Sequence, residues 1–226
     1  MGLLGQFGLS ANATVEPFRW DPAEWVEKWK ESYQWVRVSE RISVGPAFRP
    51  CPFDTKARVA IDPGQAFGTG THESTHLALE LLDRHVGASV SMLDVGCGTG
   101  VLSVAAGQLG VERLSAFDIE EEAVRETGEN AERNGVTVHV VLGGGEAISG
   151  VFDVVMANLL AHELVPMAGG IRGAVAPGGL LILAGLVDKD RPWFEERFFA
   201  VPGEFEKIEV TSRKEWWAGA WRKACG

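Results

Sequence analysis

The chain has 226 residues, of which 46% are hydrophobic and 23% charged, a balance typical of one globular domain with a small appendage and not of a disordered or fibrous protein. Its formal net charge of −10 gives no overall attraction toward a phosphate backbone, so nucleic acid is not expected as a direct partner. Three widely spaced cysteines and the lack of a signal peptide or a membrane-length apolar run predict a cytoplasmic protein with reduced thiols, without a metal site or membrane partner.

The first predicted elements lie in an aromatic segment near the start of the chain. A capping aspartate, a first-turn proline and an N3 glutamate predict a helix over 21–33. Short strands are expected at 35–38 and 42–44, where apolar and polar residues alternate. Trp25 and Trp29 share one face of the helix, so they either anchor it to the sheet or offer an aromatic surface to a substrate.

From residue 58 onward, short apolar runs alternate with amphipathic stretches, which predicts strands separated by helices. The strands are expected near 58–61, 90–94, 113–117, 136–142, 151–156 and 180–185. This alternation favours the α/β class, with a mostly parallel sheet covered by helices on both faces. Two further strands, expected at 204–211 and 215–223, would form an antiparallel hairpin at one edge.

A glycine-rich loop follows the first of these strands and leads into a helix. Phe67 could stack on or shield a ligand, and Gly68 lets the backbone wrap around it. Thr69 and Thr75 offer hydroxyl groups close to a helix N-terminus. The loop lacks the Gly-Lys-Ser/Thr ending of a phosphate loop, so we expect it to bind another ligand, unless it is a plain connection with Thr71 as the helix cap.

A second glycine turn follows the next strand and begins another helix. Gly96, Gly98 and Gly100 let a ligand lie against the backbone, beside the unpaired N–H groups of the helix. Asp94 precedes the turn and could face the positive charge of an amino group or a sulfonium. The following strand ends at Asp118, 22 residues after Gly96, where a carboxylate can accept hydrogen bonds from both hydroxyls of a ribose. The pattern favours an adenosine-containing cofactor over a tight turn without a ligand.

Two cofactors are compatible with this glycine turn. Nicotinamide enzymes use the spacing Gly-x-Gly-x-x-Gly, whereas this chain has Gly-x-Gly-x-Gly and places Val101 where the third glycine would stand. A dinucleotide also brings no cation for Asp94 to face. The spacing therefore favours S-adenosylmethionine, with NAD as the alternative.

Two polar residues further along complete the predicted site. Asn158 follows a strand at the edge of a parallel sheet, where open α/β folds bind ligands. Its oxygen could orient an incoming amine while its NH2 group holds the cofactor, or the residue could cap the next helix. Glu146 could meet the amino group of an adenine, or could be a solvated loop carboxylate. We expect Asn158 to be catalytic and both residues to bind the cofactor.

Several of these segments closely resemble one family, the bacterial methyltransferases that act on ribosomal protein L11. The similarity extends from about Trp20 to the C-terminus, and its most specific part is the loop Gly68-Thr-Gly-Thr-His72. The other matching segments are Asp94-Val-Gly-Cys-Gly-Thr-Gly100, Asn130-Ala-Glu-Arg-Asn-Gly135, Asn158-Leu-Leu-Ala161 and Lys214-Glu-Trp216. After the loop histidine, this chain has Glu73-Ser74-Thr75 where the family usually has Pro-Thr-Thr.

The resemblance implies a Rossmann-like class I methyltransferase fold with a seven-stranded sheet. It also implies that Thr75, Gly96, Asp118 and Asn158 occupy the cofactor-contact positions of the family. The same four residues are predicted above as ligand contacts from the sequence pattern alone.

We expect three segments, a tail (1–19), an aromatic helix with short strands (20–56) and an S-adenosylmethionine-dependent methyltransferase domain (57–226). Full-length members of the family carry a separate N-terminal recognition domain. Only 19 residues precede Trp20 here, so we expect that domain to be missing.

The predicted activity is transfer of a methyl group from S-adenosylmethionine to a protein amine, with ribosomal protein L11 as the leading acceptor and the enzyme acting as a monomer. A lysine acceptor must lose its proton, and His72 is either the base or a structural histidine that bonds within its own loop. The alternatives are a methyltransferase of small-molecule amines, an NAD-dependent oxidoreductase and a non-catalytic cofactor-binding module.

Overall fold

The computed structural model describes residues 33–61, 70, 72–87 and 90–225. In this part of the chain the strands are β1 (Val36–Arg37), β2 (Ile42–Pro46), β3 (Ala57–Ile61), β4 (Ser91–Val95), β5 (Arg113–Asp118), β6 (His139–Leu142), β7 (Phe152–Asn158), β8 (Val175–Val187), β9 (Phe205–Arg213) and β10 (Trp216–Lys223). The α-helices are α1 (Glu73–His85), α2 (Val101–Leu109), α3 (Glu121–Arg133), α4 (Ala161–Ala174) and α5 (Arg191–Phe198). Short 3₁₀ turns occupy Gly145–Ala147 and Asp188–Asp190.

The larger sheet has seven strands in the order β6-β5-β4-β7-β8-β10-β9. The strands from β6 to β8 run parallel to one another, whereas β10 is antiparallel to both of its neighbours. This topology confirms the predicted α/β class, the mostly parallel seven-stranded sheet and the C-terminal antiparallel hairpin.

Successive residues of the central strands enter two hydrophobic cores on opposite faces of this sheet. Met92 belongs to the core that contains α1 and α2, whereas Leu93 belongs to the core that contains α4 and α5. Val154 and Val155 of β7 divide in the same way. Helices therefore cover both faces, as predicted, and burial on both sides explains why these strands read as continuous apolar runs.

A second, three-stranded sheet is formed by β1, β2 and β3. The strand expected near 58–61 is present, but it pairs in parallel with β2 and not with the larger sheet. Asn134, just after α3, connects β3 to the end of this helix, because its amide accepts from the Ala60 N–H at 2.9 Å and donates to the Ala60 carbonyl at 2.7 Å. An apolar alternation predicts a strand, but it does not identify the strand's partner.

Part of the predicted aromatic segment lies outside the described residues. The helix over 21–33 falls there apart from Tyr33, and so do Trp25, Trp29 and the tail 1–19. The division of the chain at residues 19 and 56 stays a prediction. Among the described residues, no helix combines the length and apolar character that a membrane crossing requires.

Candidate functional site

The predicted site residues meet where three neighbouring strands end. Val95 of β4 pairs with Phe117 of β5 on one side and with Ala157 of β7 on the other. The residues that follow, including Asp118 and Asn158, therefore lie level along one edge of the sheet. The chain proceeds outward from β4 to β5 and β6 and then returns to β7 on the opposite side of β4. Such a reversal opens a crevice at the carboxyl ends of the strands, where ligands of open α/β sheets bind.

The turn after β4 depends on glycine and is held by α3. Gly96 has a φ of +70°, and a Cβ atom there would lie 2.7 Å from a methyl group of Leu159. The Thr127 hydroxyl donates to the Gly98 carbonyl at 2.9 Å, and the Asn130 amide donates to the Thr99 carbonyl at 3.0 Å. The Asn130 segment noted in the sequence is therefore a support for the glycine turn.

Asp118 borders the cavity and is already ordered by backbone groups. One of its oxygens accepts the Gly98 N–H at 2.9 Å, and the other accepts the Glu120 N–H at 3.1 Å. A carboxylate oxygen can accept a second hydrogen bond, so both oxygens retain acceptor capacity for ribose hydroxyls.

Asp94 lies behind the turn and is not among the residues that line the cavity. It is fully buried, and its Oδ2 accepts the hydroxyl of Ser103 at 2.7 Å and the Ser103 N–H at 3.2 Å. Its Oδ1 has no hydrogen-bond partner among the described residues. Burial raises the pKa of the Asp94 carboxyl to about 6, and the two bonds from Ser103 only partly offset that rise.

Asn158 and Thr75 meet across two elements. The Asn158 Nδ2 donates to the hydroxyl of Thr75 at 3.3 Å, and Thr75 is completely buried in the first turn of α1. The Asn158 Oδ1 is buried without a hydrogen-bond partner among the described residues. Because Thr75 uses the donor side of the amide, the unsatisfied atom of this residue is an acceptor.

Asn158 borders a cavity of about 570 Å³, whereas Thr75, like Asp94, is not among its lining residues. Gly96, Gly98, Asp118 and Asn158 line it, and that they bind a cofactor stays a prediction. The lining that the sequence did not indicate is mostly apolar and includes Val101, Leu102, Ile119, Ala123, Leu159, Leu160, Met167 and Trp216. A mostly apolar cavity of this size with a few polar groups is typical of a site for a small organic ligand.

The other predicted contacts are less direct. Glu146 turns back on its own loop, where its carboxylate accepts the Gly144 N–H at 2.7 Å, and this bond lowers its pKa. Glu146 is not a lining residue, although Gly144 and Gly145 are, so its bond to an adenine stays a prediction. The predicted contacts at residues 67–69 (Phe67, Gly68 and Thr69) lie outside the described residues.

His72 also lines the cavity, but its ring has a structural task. It is the N-cap of α1, since its Nδ1 lies 3.3 Å from the Ser74 nitrogen and 2.8 Å from the Ser74 hydroxyl oxygen. His72 therefore takes the capping role considered for Thr71. Its ring packs edge to face against that of Trp216, with centroids 4.8 Å apart.

Cys97 brings a thiol to the cavity, but the thiol is a poor nucleophile. Burial raises its pKa to about 12, so the neutral form dominates near neutral pH. The Thr127 hydroxyl lies 3.2 Å from its sulfur. Cys97 is therefore part of the packing of the turn.

Ile119 and Trp216 are two of the lining residues that sequence reasoning missed. Ile119 is 75% exposed and directly follows Asp118. An isolated apolar residue after an acidic strand end is a usable signal for packing against a ligand. Trp216 was noted only as part of a matching segment. It lies more than 50 residues after Asn158 in the sequence, and no local pattern indicates that both residues line one cavity.

Comparisons with known proteins identify similar chains. Residues 7–224 match the family model of ribosomal protein L11 methyltransferase (PrmA). The ribosomal protein L11 methyltransferase of Dechloromonas aromatica is 37% identical over 193 residues, which are 85% of this chain and 64% of that protein. The one from Tolumonas auensis is 36% identical over 195 residues, again 85% of this chain and 66% of the relative. The chain thus spans about two thirds of the length of these relatives.

Two solved structures share the architecture. The crystal structure of ribosomal protein L11 methylase from Lactobacillus delbrueckii subsp. bulgaricus aligns with a TM-score of 0.77 at 26% identity, covering 85% of this chain and 100% of that one. A methyltransferase from Pyrococcus furiosus aligns with a TM-score of 0.60 at 18% identity, covering 74% of this chain and 89% of that one. The second likeness concerns the fold alone.

Proposed function

Since this chain belongs to the ribosomal protein L11 methyltransferase family, we propose that it transfers a methyl group from S-adenosylmethionine to an amine of a protein, with ribosomal protein L11 as the acceptor. Its fold is the Rossmann-like class I methyltransferase fold that the sequence resemblance implied. The observation that carries the proposal is the Asn158 amide, which is tied to Thr75 and leaves a buried acceptor oxygen at the cavity.

The described residues fit S-adenosylmethionine. Gly96 and Gly98 keep the wall beside β4 free of side chains, and Asp118 offers a carboxylate for a ribose. Exposed Ile119 offers an apolar surface for a base. We also keep Glu146 and the loop residues Phe67, Gly68 and Thr69 as proposed contacts.

Asp94 fits the cationic part of this cofactor through its charge. Its unpartnered Oδ1 and its position directly before the turn favour a role toward a positive group. We propose that Asp94 acts from behind the turn, through the field of a buried carboxylate.

The reaction requires little covalent chemistry from the protein. When bound, S-adenosylmethionine supplies a methyl group on a positively charged sulfur, which takes the electron pair of the broken S–C bond as an amine nitrogen forms the new N–C bond. The Asn158 Oδ1 accepts a hydrogen bond from an amine N–H and so directs the nitrogen lone pair. Catalysis then depends mainly on positioning by this amide and by Thr75.

The acceptor must be neutral before it can react. A lysine with a pKa of about 10.4 is neutral in roughly one molecule in 2,500 at pH 7, which costs about 4.6 kcal/mol, whereas an α-amine near 7.8 loses only about 1 kcal/mol. Asn158 cannot remove the proton, and the His72 Nδ1 faces Ser74. We therefore propose that a lysine acceptor loses its proton to water while its charge is desolvated in the mostly apolar cavity.

The wider proposals follow from this reaction. We propose a monomer that acts in the cytoplasm, where ribosomal proteins are assembled, and that does not bind nucleic acid directly. We also propose that residues 57–226 carry the transferase and that 20–56 form an accessory segment after the tail 1–19.

The test is methyl transfer by the purified chain. Ribosomal protein L11 is incubated with the chain and a labelled methyl donor, and Asn158→Ala is expected to lower kcat about 100-fold while the affinity for S-adenosylmethionine changes only a few-fold. Thr75→Ser, which keeps the hydroxyl, should retain most of the turnover, whereas Thr75→Val should lose it.

Two results would contradict the proposal. Unchanged turnover in Asn158→Ala would remove the amide from the mechanism. Label that appears only in small amines of a lysate, and never in ribosomal protein L11, would replace the protein acceptor by a small molecule.

A further inference from the structure

The cavity extends across the sheet from Asp118 past Asn158. Asp118 ends β5 and Asn158 ends β7, with β4 between them, so these two positions are separated by two strand spacings, or about 10 Å. Beyond β7 come β8 and then β10, whose first residue is Trp216. Trp216 lines the same cavity as Asp118 and Asn158. The cavity therefore has one end beside β5 and another end beside β10.

Two aromatic rings form the wall at the β10 end. Trp216 is half-buried, and its ring meets that of His72 edge to face at 74°. His72 caps α1, the helix that also supplies Thr75 to Asn158. The N-terminal end of α1 therefore positions both the two rings and the Asn158 amide.

The hairpin tip that carries Trp216 is fastened to α1 by charged groups. Arg213 donates to the Glu80 carboxylate at 2.8 Å, and its other terminal nitrogen lies 3.1 Å from the His76 Nδ1. Burial and the nearby Arg213 lower the pKa of His76, so its ring is neutral and accepts this bond. Lys214 pairs with Glu73 at the start of α1. These contacts hold the tip of the hairpin, and with it Trp216, in register with the first turns of α1.

An adenosine at the β5 end leaves the β10 end for the acceptor. We propose that Trp216, with the ring of His72 beside it, is the acceptor-binding wall of the cavity. It packs against the methylene groups of a lysine side chain, and its ring face stabilises the positive charge that the nitrogen carries directly after transfer. This assignment rests on the proposed function and extends it to acceptor recognition.

The other charged lining groups are less suited to this task. Glu163 lies near Asn158, but its carboxylate accepts the Leu160 N–H at 2.8 Å at the start of α4. Asp118 and Glu120 belong to the β5 end. Among the described lining residues, the remaining aromatic ring is that of Phe117, which is buried within β5.

The experiment compares substitutions at Trp216 with one at another tryptophan. Trp216→Leu is expected to raise the KM for ribosomal protein L11 about tenfold, with kcat changed less than about threefold and with the Kd for S-adenosylmethionine unchanged. Trp216→Phe, which keeps an aromatic face, should recover most of the loss. Calorimetry without methyl donor should show that the Kd for ribosomal protein L11 is lowest in the wild type, somewhat higher in Trp216→Phe and highest in Trp216→Leu. The control is Trp193→Leu, because Trp193 is a half-exposed residue of α5 outside the cavity and its loss should change none of these constants.

Each outcome has one meaning. A wild-type chain that transfers no methyl group to ribosomal protein L11 contradicts the proposed function, and the acceptor wall with it. An active wild type with unchanged acceptor KM and Kd in Trp216→Leu contradicts the acceptor wall alone. Loss of S-adenosylmethionine affinity in a folded Trp216→Leu would instead assign this ring to the cofactor and overturn the inference.

Discussion

Asp94 is a buried residue whose ionisation is costly. Its carboxylate is completely buried, and one oxygen has no hydrogen-bond partner among the described residues. Burial raises its pKa from 3.8 to about 6, a change that corresponds to a penalty of about 3 kcal/mol for the ionised form. A residue of this kind is expected to be retained for binding at the expense of stability.

The stability of the unliganded protein should therefore depend on pH through Asp94. Below about pH 3.8 the carboxyl is protonated in both the folded and the unfolded chain. Between pH 3.8 and about 6 the folded chain holds a proton that the unfolded chain has released, so the free energy of unfolding falls as the pH rises, and above pH 6 the full penalty applies. Asp94→Asn carries no charge, so its stability relative to the wild type should rise by about 2 kcal/mol between pH 4 and pH 7.

Urea unfolding of both proteins across this range measures the difference. Ser103→Ala is a second variant, since it removes the 2.7 Å bond that favours the ionised carboxylate and should move the window to higher pH. The free energy of unfolding would then differ between Asp94→Asn and the wild type by an amount that depends on pH. A difference that stays constant with pH would show that ionisation of the Asp94 carboxyl does not destabilise the folded protein.

The sequence placed two residues of the candidate site at one edge of the sheet, but it did not identify their surroundings. Asp118 and Asn158 could be placed because each ends a parallel strand, and the carboxyl ends of parallel strands meet at one edge. The role of Trp216 depends on the packing of a C-terminal hairpin against a helix more than 130 residues earlier. No local pattern of residues carries information on such a contact.

At the level of elements, β8 is irregular beside the end of β7. The pairing of β8 with β10 shifts register between Trp217 and Gly219, opposite Gly185, which has a φ of +79°. This is the arrangement of a β-bulge with a left-handed glycine. A Cβ atom at Gly185 would lie 2.6 Å from the Leu159 carbonyl oxygen, so the bulge leaves room for the backbone that follows Asn158.

Gly185→Ala should therefore be costly for two reasons. The left-handed conformation alone costs about 1–2 kcal/mol for a residue with a Cβ, and the collision with the Leu159 backbone should bring the total loss of unfolding free energy to about 3 kcal/mol. Gly203→Ala separates the two effects, because Gly203 has a similar φ of +77° but no atom within 4 Å of the added Cβ. Equal losses in the two variants, measured by urea unfolding, would show that the contact with Leu159 relaxes.

The elements also show where prediction from sequence ends. A short apolar run predicted β3, yet β3 joins the smaller sheet, because it pairs with Ile42–Pro46. The Asn134 amide also bonds to its backbone. The other five strands predicted from residue 58 onward all lie in the larger sheet. Neighbouring strands among these five pair in parallel, because a helical connection brings the chain back in the same direction.

At the scale of the whole molecule, ligand binding and folding are coupled. The cavity draws on both cores, since Val101 belongs to one core and Phe117 to the other. S-adenosylmethionine at 100 times its Kd should therefore stabilise the folded chain by about 2.7 kcal/mol, which raises the melting temperature by about 5–10 °C for a chain of this size.

Thermal unfolding with and without the ligand measures this shift. NAD at the same concentration should give no shift, and Asp118→Ala should lose the shift that S-adenosylmethionine produces. Asp54→Ala is the matched control, because Asp54 is fully exposed on the smaller sheet's connection and lies outside the cavity. A shift with NAD and none with S-adenosylmethionine would favour the oxidoreductase alternative.

β10 determines when the larger sheet can be completed during synthesis of the chain, because it is the last described strand in the sequence. β10 lies between β8 and β9, although Trp216 follows Val187 by 29 residues. At about 5–20 residues per second, the apolar edge of β8 waits a few seconds for its partner while the chain is being translated. During that interval the edge can pair with other chains, and the cavity lacks its aromatic wall. The strand that closes the sheet also brings Trp216, so a translation product that stops before β10 has neither a protected edge nor a complete cavity.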